Sequence, residues 1–436
     1  MEYVIVFIIL ISTLNNCQSR LQNGTKCDFN NQCICVMEQF LFYVDCTNGN
    51  ITNTSIFPSN TNVLILQSNN IMHLLDRSFE NLSNLLELDL SNNKLLKIDS
   101  EAFIGLSNLK ELSLGGNELN FTVNSFHINA LAPLKSLTIL NITYQTISDI
   151  LSDKMILNLH ALQSLETDII SNTDGQAFGK GYSSLKQLRQ LKAGKCQMEL
   201  VNNNTFSNLP YLEFVELSKC RIVQFGNGCI FCHLKNFRYL DLSKTVCENN
   251  NFRSLVSDFK RTKIRKIKMT RTFFTSAFPP FHLFGDLANS GITELYINKN
   301  SFVMAHDTVT DTIPNTLQVL DLSDNMLVQV SYSMLTLRTL NLRNNDLGKV
   351  LAKGGYKRYG TIKLQNVDLS NNGIHSLLFI VFEGHSYLET LNLSDNALSD
   401  FSPDVSVMIR LKVLDLSKKN KKIFTTQYHA KYFKNC

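Results

Sequence analysis

The sequence predicts an α/β solenoid: a curved horseshoe of stacked repeats, with a parallel β-sheet on its concave face and a disulfide cap at its N-terminus. Three observations predict it. A unit of about two dozen residues recurs through most of the 436 positions. Within each unit apolar residues alternate as L-x-L, the pattern of a strand. Four cysteines, Cys27, Cys33, Cys35 and Cys46, crowd the stretch before the first unit. Composition agrees. At 44% hydrophobic the chain has material for a large core and is not disordered, and a net charge of +5 is too small for a polybasic protein.

In chain order, residues 3–14 form an almost unbroken apolar run, YVIVFIILISTL. It is too short for a bilayer core, which needs roughly twenty residues. It reads as the core of a secretory signal, with Cys17 and Ser19 at −3 and −1 of a cut after Ser19, so that residues 1–19 are the leader. A buried N-terminal strand is the rival reading, because Glu2 stands where a signal carries Lys or Arg. No later run is long enough to span a membrane. Sequons at Asn23, Asn50, Asn53, Asn81, Asn120, Asn141, Asn203 and Asn392 fit a glycosylated chain, secreted or on the extracellular side of a membrane. Residues 20–60 form the cap. Its cysteines read as two disulfides with three pairings open, and no His lies among them to complete a zinc site.

The repeats occupy residues 61–421. Units beginning at Leu85, Leu109, Leu317, Leu337 and Leu388 obey L-x-x-L-x-L-x-x-N-x-L, and the Asn of successive early units, Asn69, Asn93 and Asn117, falls every 24 residues. Decayed copies begin at Leu137, Leu188, Leu212, Phe237, Ile264, Ile292, Leu364 and Leu411, with one poorly matched turn near Leu165, for about fifteen in all. The period is that of leucine-rich repeats. The L-x-L residues point inward, and the Asn at position nine turns the chain while its amide bonds backbone groups of adjacent turns. Cys196, Cys220, Thr245 and Thr272 replace that Asn, which makes Cys196 and Cys220 buried, unpaired thiols. Phe79, Phe103, Phe206 and Phe382 recur at one offset and form an aromatic column in the core. Each unit is stable only in the stack. At the far end Lys419 and Lys421 replace the motif residues, and residues 422–436 form an irregular tail without a second cysteine cap.

The Cys-x5-Cys-x-Cys-x10-Cys cap, the 24-residue units with phrases such as SFENLSNLLELDLSNNKL and NFRYLDLSKTVC, and the irregular middle resemble a Toll-like receptor ectodomain. The resemblance covers roughly residues 20–421. It implies pattern recognition of a microbial or other large ligand in innate immunity, and pairing with a like or unlike leucine-rich-repeat receptor. The family also carries a C-terminal cap, a membrane helix and a signalling domain, which this sequence does not match, so the chain reads as truncated ahead of them. A secreted matrix, growth-factor-binding or decoy protein and an adhesion receptor ectodomain are the alternatives.

Charge is segregated along the array. At outward strand positions of the sixth to tenth units stand Arg189, Lys192, Lys195, Lys219, Arg238, Lys244, Arg265, Lys266, Lys268, Arg271 and Lys299, against Glu213, Glu216, Asp241 and Glu294. Later units reverse the balance. The expected ligand surface is therefore a concave basic band of Lys192, Lys195, Arg238, Lys244, Arg265, Lys266, Lys268 and Arg271, suited to a protein or polyanionic ligand such as a nucleic acid or lipopolymer. A solvated strand face is the bland reading of the same residues. Aromatics are sparse among them, so base stacking is not indicated.

Enzyme signatures are missing. The phosphate-loop look-alike at Gly175, Gly179 and Lys180 has the wrong spacing and no following Ser or Thr. Cys229 and Cys232, near His233 and Cys247, admit zinc or redox readings but fit a local disulfide better. No catalytic residue, cofactor or metal is expected.

Overall fold

A computed structural model describes residues 24–54, 56–145, 152–171, 173–247, 255–256, 258–273, 287–306, 314–331, 336–353, 363–378, 381–399, 401 and 405–417. The expected leader, Asn23 and the expected tail of residues 422–436 lie outside them. The chain divides into two compact units, Met1–Ile170 with Gln176–Cys196, and Ser171–Gly175 with Gln197–Cys436. Each is a solenoid of short parallel strands.

The first unit opens with the cap. Thr25–Cys27 pairs antiparallel with Asn30–Glu38, which pairs antiparallel with Leu41–Asp45. The disulfides are Cys27–Cys35 and Cys33–Cys46, which settles the pairing. Leu41–Asp45 then runs parallel to Val63–Ile65, so the cap continues into the repeat sheet. Strands Glu87–Asp89, Glu111–Ser113, Ile139–Asn141 and Ser164–Ser171 follow without slip, and Leu64, Leu88, Leu112, Leu140 and Leu165 stand opposite one another. All five are buried, which is what locks the register: a shift by one residue would turn every one of them to solvent.

The second unit repeats the plan from Phe214–Glu216 through Tyr239–Asp241, Lys266–Lys268 and Glu294–Tyr296 to Val413–Asp415. Val215, Leu240, Ile267, Leu295 and Leu320 form its buried file. Among the described residues helix is sparse. Asp153–Ile156 and Gly348–Leu351 have four residues each, and turns form most of the side away from the sheet. The phenylalanines are core, as expected. Phe79 stacks on Phe103 at 6.3 Å and Phe206 on Phe231 at 5.4 Å.

The asparagine ladder is a hydrogen-bond circuit. Asn93 Nδ2 donates to Leu66 O of the preceding repeat (2.8 Å) and to Leu90 O of its own (3.0 Å), while its Oδ1 accepts from Ile71 N (3.1 Å). Asn117 and Asn396 repeat the scheme. Thr245 and Thr272 keep one bond, to Leu217 O and Leu242 O of the preceding repeat (2.9 and 2.8 Å). Gln145 fills the same role with a longer arm, reaching Leu114 O at 2.9 Å. Where cysteine replaces Asn the chain solves the problem differently. Gln190–Val201 continues as strand through Cys196, and Gln197–Val201 pairs in parallel with Arg221–Phe225, so backbone ladder replaces side-chain amide. Cys196 and Cys220 are both disulfide-bonded, contrary to the expectation of free thiols. Because oxidation removes their weak donors, neither Cys stands in for the missing amide.

Candidate ligand-binding surface

The backbone at motif position eight is left-handed in repeat after repeat. Ser68, Asn92, Gly116, Tyr144, Lys219, Lys244, Arg271, Lys299, Asp324, Asn344, Asn371 and Asp395 all have φ between 52° and 70°. Here the strand ends and position nine must swing inward. Most regular repeats meet the demand with Asn, Asp or Gly, which reach this conformation easily. For other L residues the left-handed region costs roughly 1–2 kcal/mol. Four successive repeats of the second unit accept that cost and place Lys219, Lys244, Arg271 and Lys299 there.

All four are exposed. Their amides donate to Ser243 O (2.9 Å), Thr270 O (2.8 Å), Asn298 O (3.0 Å) and Ser323 O (3.0 Å) of the next repeat. The strand ladder therefore extends through position eight, and the four residues succeed one another at the spacing of neighbouring strands, about 4.8 Å. Lys219, Lys244 and Arg271 make no ion pair among the described residues. Lys299 Nζ lies 4.0 Å from Asp324.

The rest of the expected band is occupied. Arg238 Nε lies 3.6 Å from Glu213, and Lys266 Nζ lies 2.8 Å from Glu294. Partial burial disfavours the charged form of Lys266, but the hydrogen bond and charge of Glu294, with Tyr296, outweigh it and hold the ammonium above its ordinary value. Lys268 stands over the Tyr239 and Tyr296 rings, 5.7 and 6.0 Å from their centroids. Arg265 donates to Gly291 O at 2.5 Å. Two position-five residues beside the position-eight column are acidic, Glu216 and Asp241, each held by the serine two residues on. Ser218 Oγ donates to Glu216 (3.1 Å) and Ser243 N to Asp241 (2.8 Å).

Lys192 and Lys195 belong to the first unit. Lys192 Nζ is 3.2 Å from Glu166, and Lys195 Nζ donates to Gln145 O. Their surroundings are acidic: an open groove of about 790 Å³ there is lined by Asp45, Glu87, Asp89 and Glu166 among others. Burial raises Asp89 against the opposing hydrogen bonds of Ser91, and burial raises Glu111, only 8% exposed, to about 7. Beneath the groove the buried Asp168 accepts backbone N–H bonds from Tyr144 (2.9 Å), Gln145 (3.2 Å) and Lys195 (2.6 Å). Gly194 leaves room for it, since a Cβ there would collide with the carboxylate.

Cys229 and Cys232 are joined in a disulfide, so they are not a zinc pair. No cluster of three or more potential metal ligands occurs among the described residues. The Cys247 side chain is outside them. Of the sequons, Asn50, Asn53, Asn81 and Asn203 are exposed, whereas Asn392 Nδ2 donates to Asp368 (3.2 Å) and Asn141 Oδ1 accepts from Thr143. No helix among the described residues is long and apolar enough to cross a membrane.

The family profile described as Leucine rich repeat matches residues 59–119 and 362–421. Toll-like receptor 4 of Pinctada imbricata is 26% identical over 207 residues, 46% of this chain and 22% of that protein. Toll-like receptor 9 of Mus musculus is 33% identical over 144 residues, 31% of this chain and 13% of that protein. The chain is a leucine-rich-repeat protein similar to Toll-like receptor ectodomains. It spans about a fifth or less of the length of these curated relatives. Among solved structures, that of the TLR13–ssRNA13 complex aligns over 89% of this chain and 75% of its own, with 19% identity and a TM-score of 0.42. The two stretches matched by the leucine-rich-repeat profile hold ladder asparagines, Asn69, Asn93 and Asn117 in the first and Asn372 and Asn396 in the second, and Asn300, Asn325 and Asn345 continue the ladder between them. The repeats between them hold Gln145, Cys196, Cys220, Thr245, Thr272 and the basic column.

Of the expected band, Lys244 and Arg271 lie in the position-eight column, where Lys219 and Lys299 stand with them, whereas Arg238 and Lys266 are paired with acids. The signal was the Asn/Asp/Gly preference at position eight of the regular repeats, against which four basic residues stand out.

Proposed function

We propose that the chain is the ligand-binding ectodomain of a Toll-like pattern-recognition receptor, displayed on the extracellular side of a membrane or secreted, and that its second unit binds a polyanionic ligand without catalysis. The observation that carries the reading is the set of exposed cations on that unit without an ion pair among the described residues, Lys219, Lys244 and Arg271, in repeats where Arg238 and Lys266 are already paired with acids. A solvated strand face gains nothing from leaving its cations unpaired where acids are at hand. A polyanion gains counterion release at each contact.

Binding of the recombinant chain to a phosphate polymer, followed from 50 to 200 mM salt, tests the proposal. The expected result is a linear fall of log K with log salt. Absence of binding, or a flat salt dependence, refutes it. Ligand-driven pairing of two such chains, which the Toll-like resemblance implies, is read by size-exclusion chromatography of the same mixtures.

A further inference from the structure

We infer that position eight is the anion-reading edge of the second unit, and that Lys219, Lys244, Arg271 and Lys299 together take one linear polyanion chain in single file. The inference rests on the polyanion reading above and goes beyond it, since it names which cations act and what shape of charge they accept.

Geometry argues for the single file. One cation is offered per repeat, at steps of about 4.8 Å, so the four cover about 14 Å. The file is narrow. Beside Lys219 and Lys244 the position-five carboxylates of Glu216 and Asp241 repel a second row of anions, beside Arg271 the position-five Lys268 is engaged over the Tyr239 and Tyr296 rings, and beyond Lys299 the next residue in the column is Asp324. A broad anionic surface, such as a charged bilayer, would meet those acids. A single chain laid along the column would not.

Conformation argues that the file is selected for something other than stability. The backbone there is left-handed in every one of the four repeats, with φ of 65°, 60°, 55° and 59°. Asn and Asp satisfy the same turn elsewhere in the same unit, at Asp324, Asn344, Asn371 and Asp395. Lys and Arg satisfy it less well and add mutual repulsion. Four cations held in a disfavoured conformation and in register, three of them without an ion pair among the described residues, mark a contact kept for function rather than for folding.

The test uses the whole chain, with all four column residues changed to Asn (K219N, K244N, R271N, K299N). A charge-matched control changes Lys94, Lys110, Lys135 and Lys186, exposed lysines of the first unit, to Asn. The probes are linear inorganic polyphosphate, a single-stranded oligonucleotide and a sulfated glycan, each titrated across salt. Each backbone contact contributes about 0.7 to the salt slope for a single strand, so the column variant loses roughly three units of slope while the control keeps it. The column variant also melts a few degrees higher, because Asn suits the left-handed turn and the repulsion is gone. Similar slopes for the three probes on the native chain support charge-only reading. A preference above tenfold for the oligonucleotide or the glycan over polyphosphate overturns it. So does native-like binding by the column variant, which leaves the broader polyanion reading intact on other cations. If the native chain binds none of the probes, both readings fall together. A column variant that binds less but melts lower points to damaged folding and overturns the inference as well.

Discussion

Replacing Asn93 with Ala isolates the ladder. Four bonds vanish, to Leu66 O, to Leu90 O, a longer one to Ser91 O (3.3 Å), and from Ile71 N. They are not equivalent. Leu66 O also accepts from Asn69 Nδ2 (2.9 Å), and Leu90 O from Asn117 Nδ2 (3.0 Å), so each carbonyl keeps a partner. Ile71 N loses the only bond described for it and becomes a buried orphan. An orphaned buried donor costs about 1–3 kcal/mol, and each weakened carbonyl several tenths to 1. The expected loss is therefore about 3 kcal/mol for N93A. N93T keeps the donor to Leu66 O, as Thr245 does for Leu217 O, and loses about half as much. Because long arrays unfold in parts, the readout is local: hydrogen exchange at the Ile71 amide, alongside equilibrium urea unfolding. An N93A chain within about 0.5 kcal/mol of the parent, with Ile71 equally protected, would refute the account of the ladder.

Other outcomes follow from single groups. Glu111 has its folded-state pKa raised from 4.5 to about 7, so the folded chain holds the proton longer than the unfolded one, and stability falls as pH rises through that window. E111Q removes the fall, which amounts to about 3 kcal/mol, so the variant gains on the parent above pH 7 but not below pH 4.5, as read by urea midpoints. Changing both Cys33 and Cys46 to Ala opens a loop closed over 13 residues and lowers the stability of the cap by about 3 kcal/mol, seen as earlier proteolysis of the first strands. D168N leaves one of three backbone donors facing an amide instead of a carboxylate oxygen, and thermal melting followed by circular dichroism should show a loss of about 1–3 kcal/mol.

The repeat, its strands and its inward leucines were readable because one short pattern decides them. Leu64, Leu88 and Leu112 recur at the same motif position, and nothing but stacking buries them together. The split of the basic band into paired and unpaired cations needed one further step. Lys192–Glu166, Arg238–Glu213, Lys266–Glu294 and Lys412–Glu389 each join the same motif position in adjacent repeats. An alignment of the repeats contains those partners, 23 to 28 residues apart, but net charge counted by region does not. The disulfides of Cys196 and Cys220 were not readable in the same way, since the asparagine column assigns both positions to the interior and gives no sign of oxidation. Gln145 and Asp168 were missed because the repeats there depart from consensus. The backbone amides still need acceptors, and unlike side chains supply them from unlike positions.

The cap strand Leu41–Asp45 has antiparallel neighbours on one side and parallel ones on the other. A parallel stack otherwise begins with a bare row of amides and carbonyls, an invitation for a foreign chain to add itself and seed a fibril. Here the row is spent on a hairpin that ends in Thr25–Cys27, three residues long and broken in register at Cys27. A stub so short and kinked, and pinned by a cystine, offers nothing to template on. Among the described residues, the first turn of the coil thus leaves only a short, broken edge for a second backbone to extend.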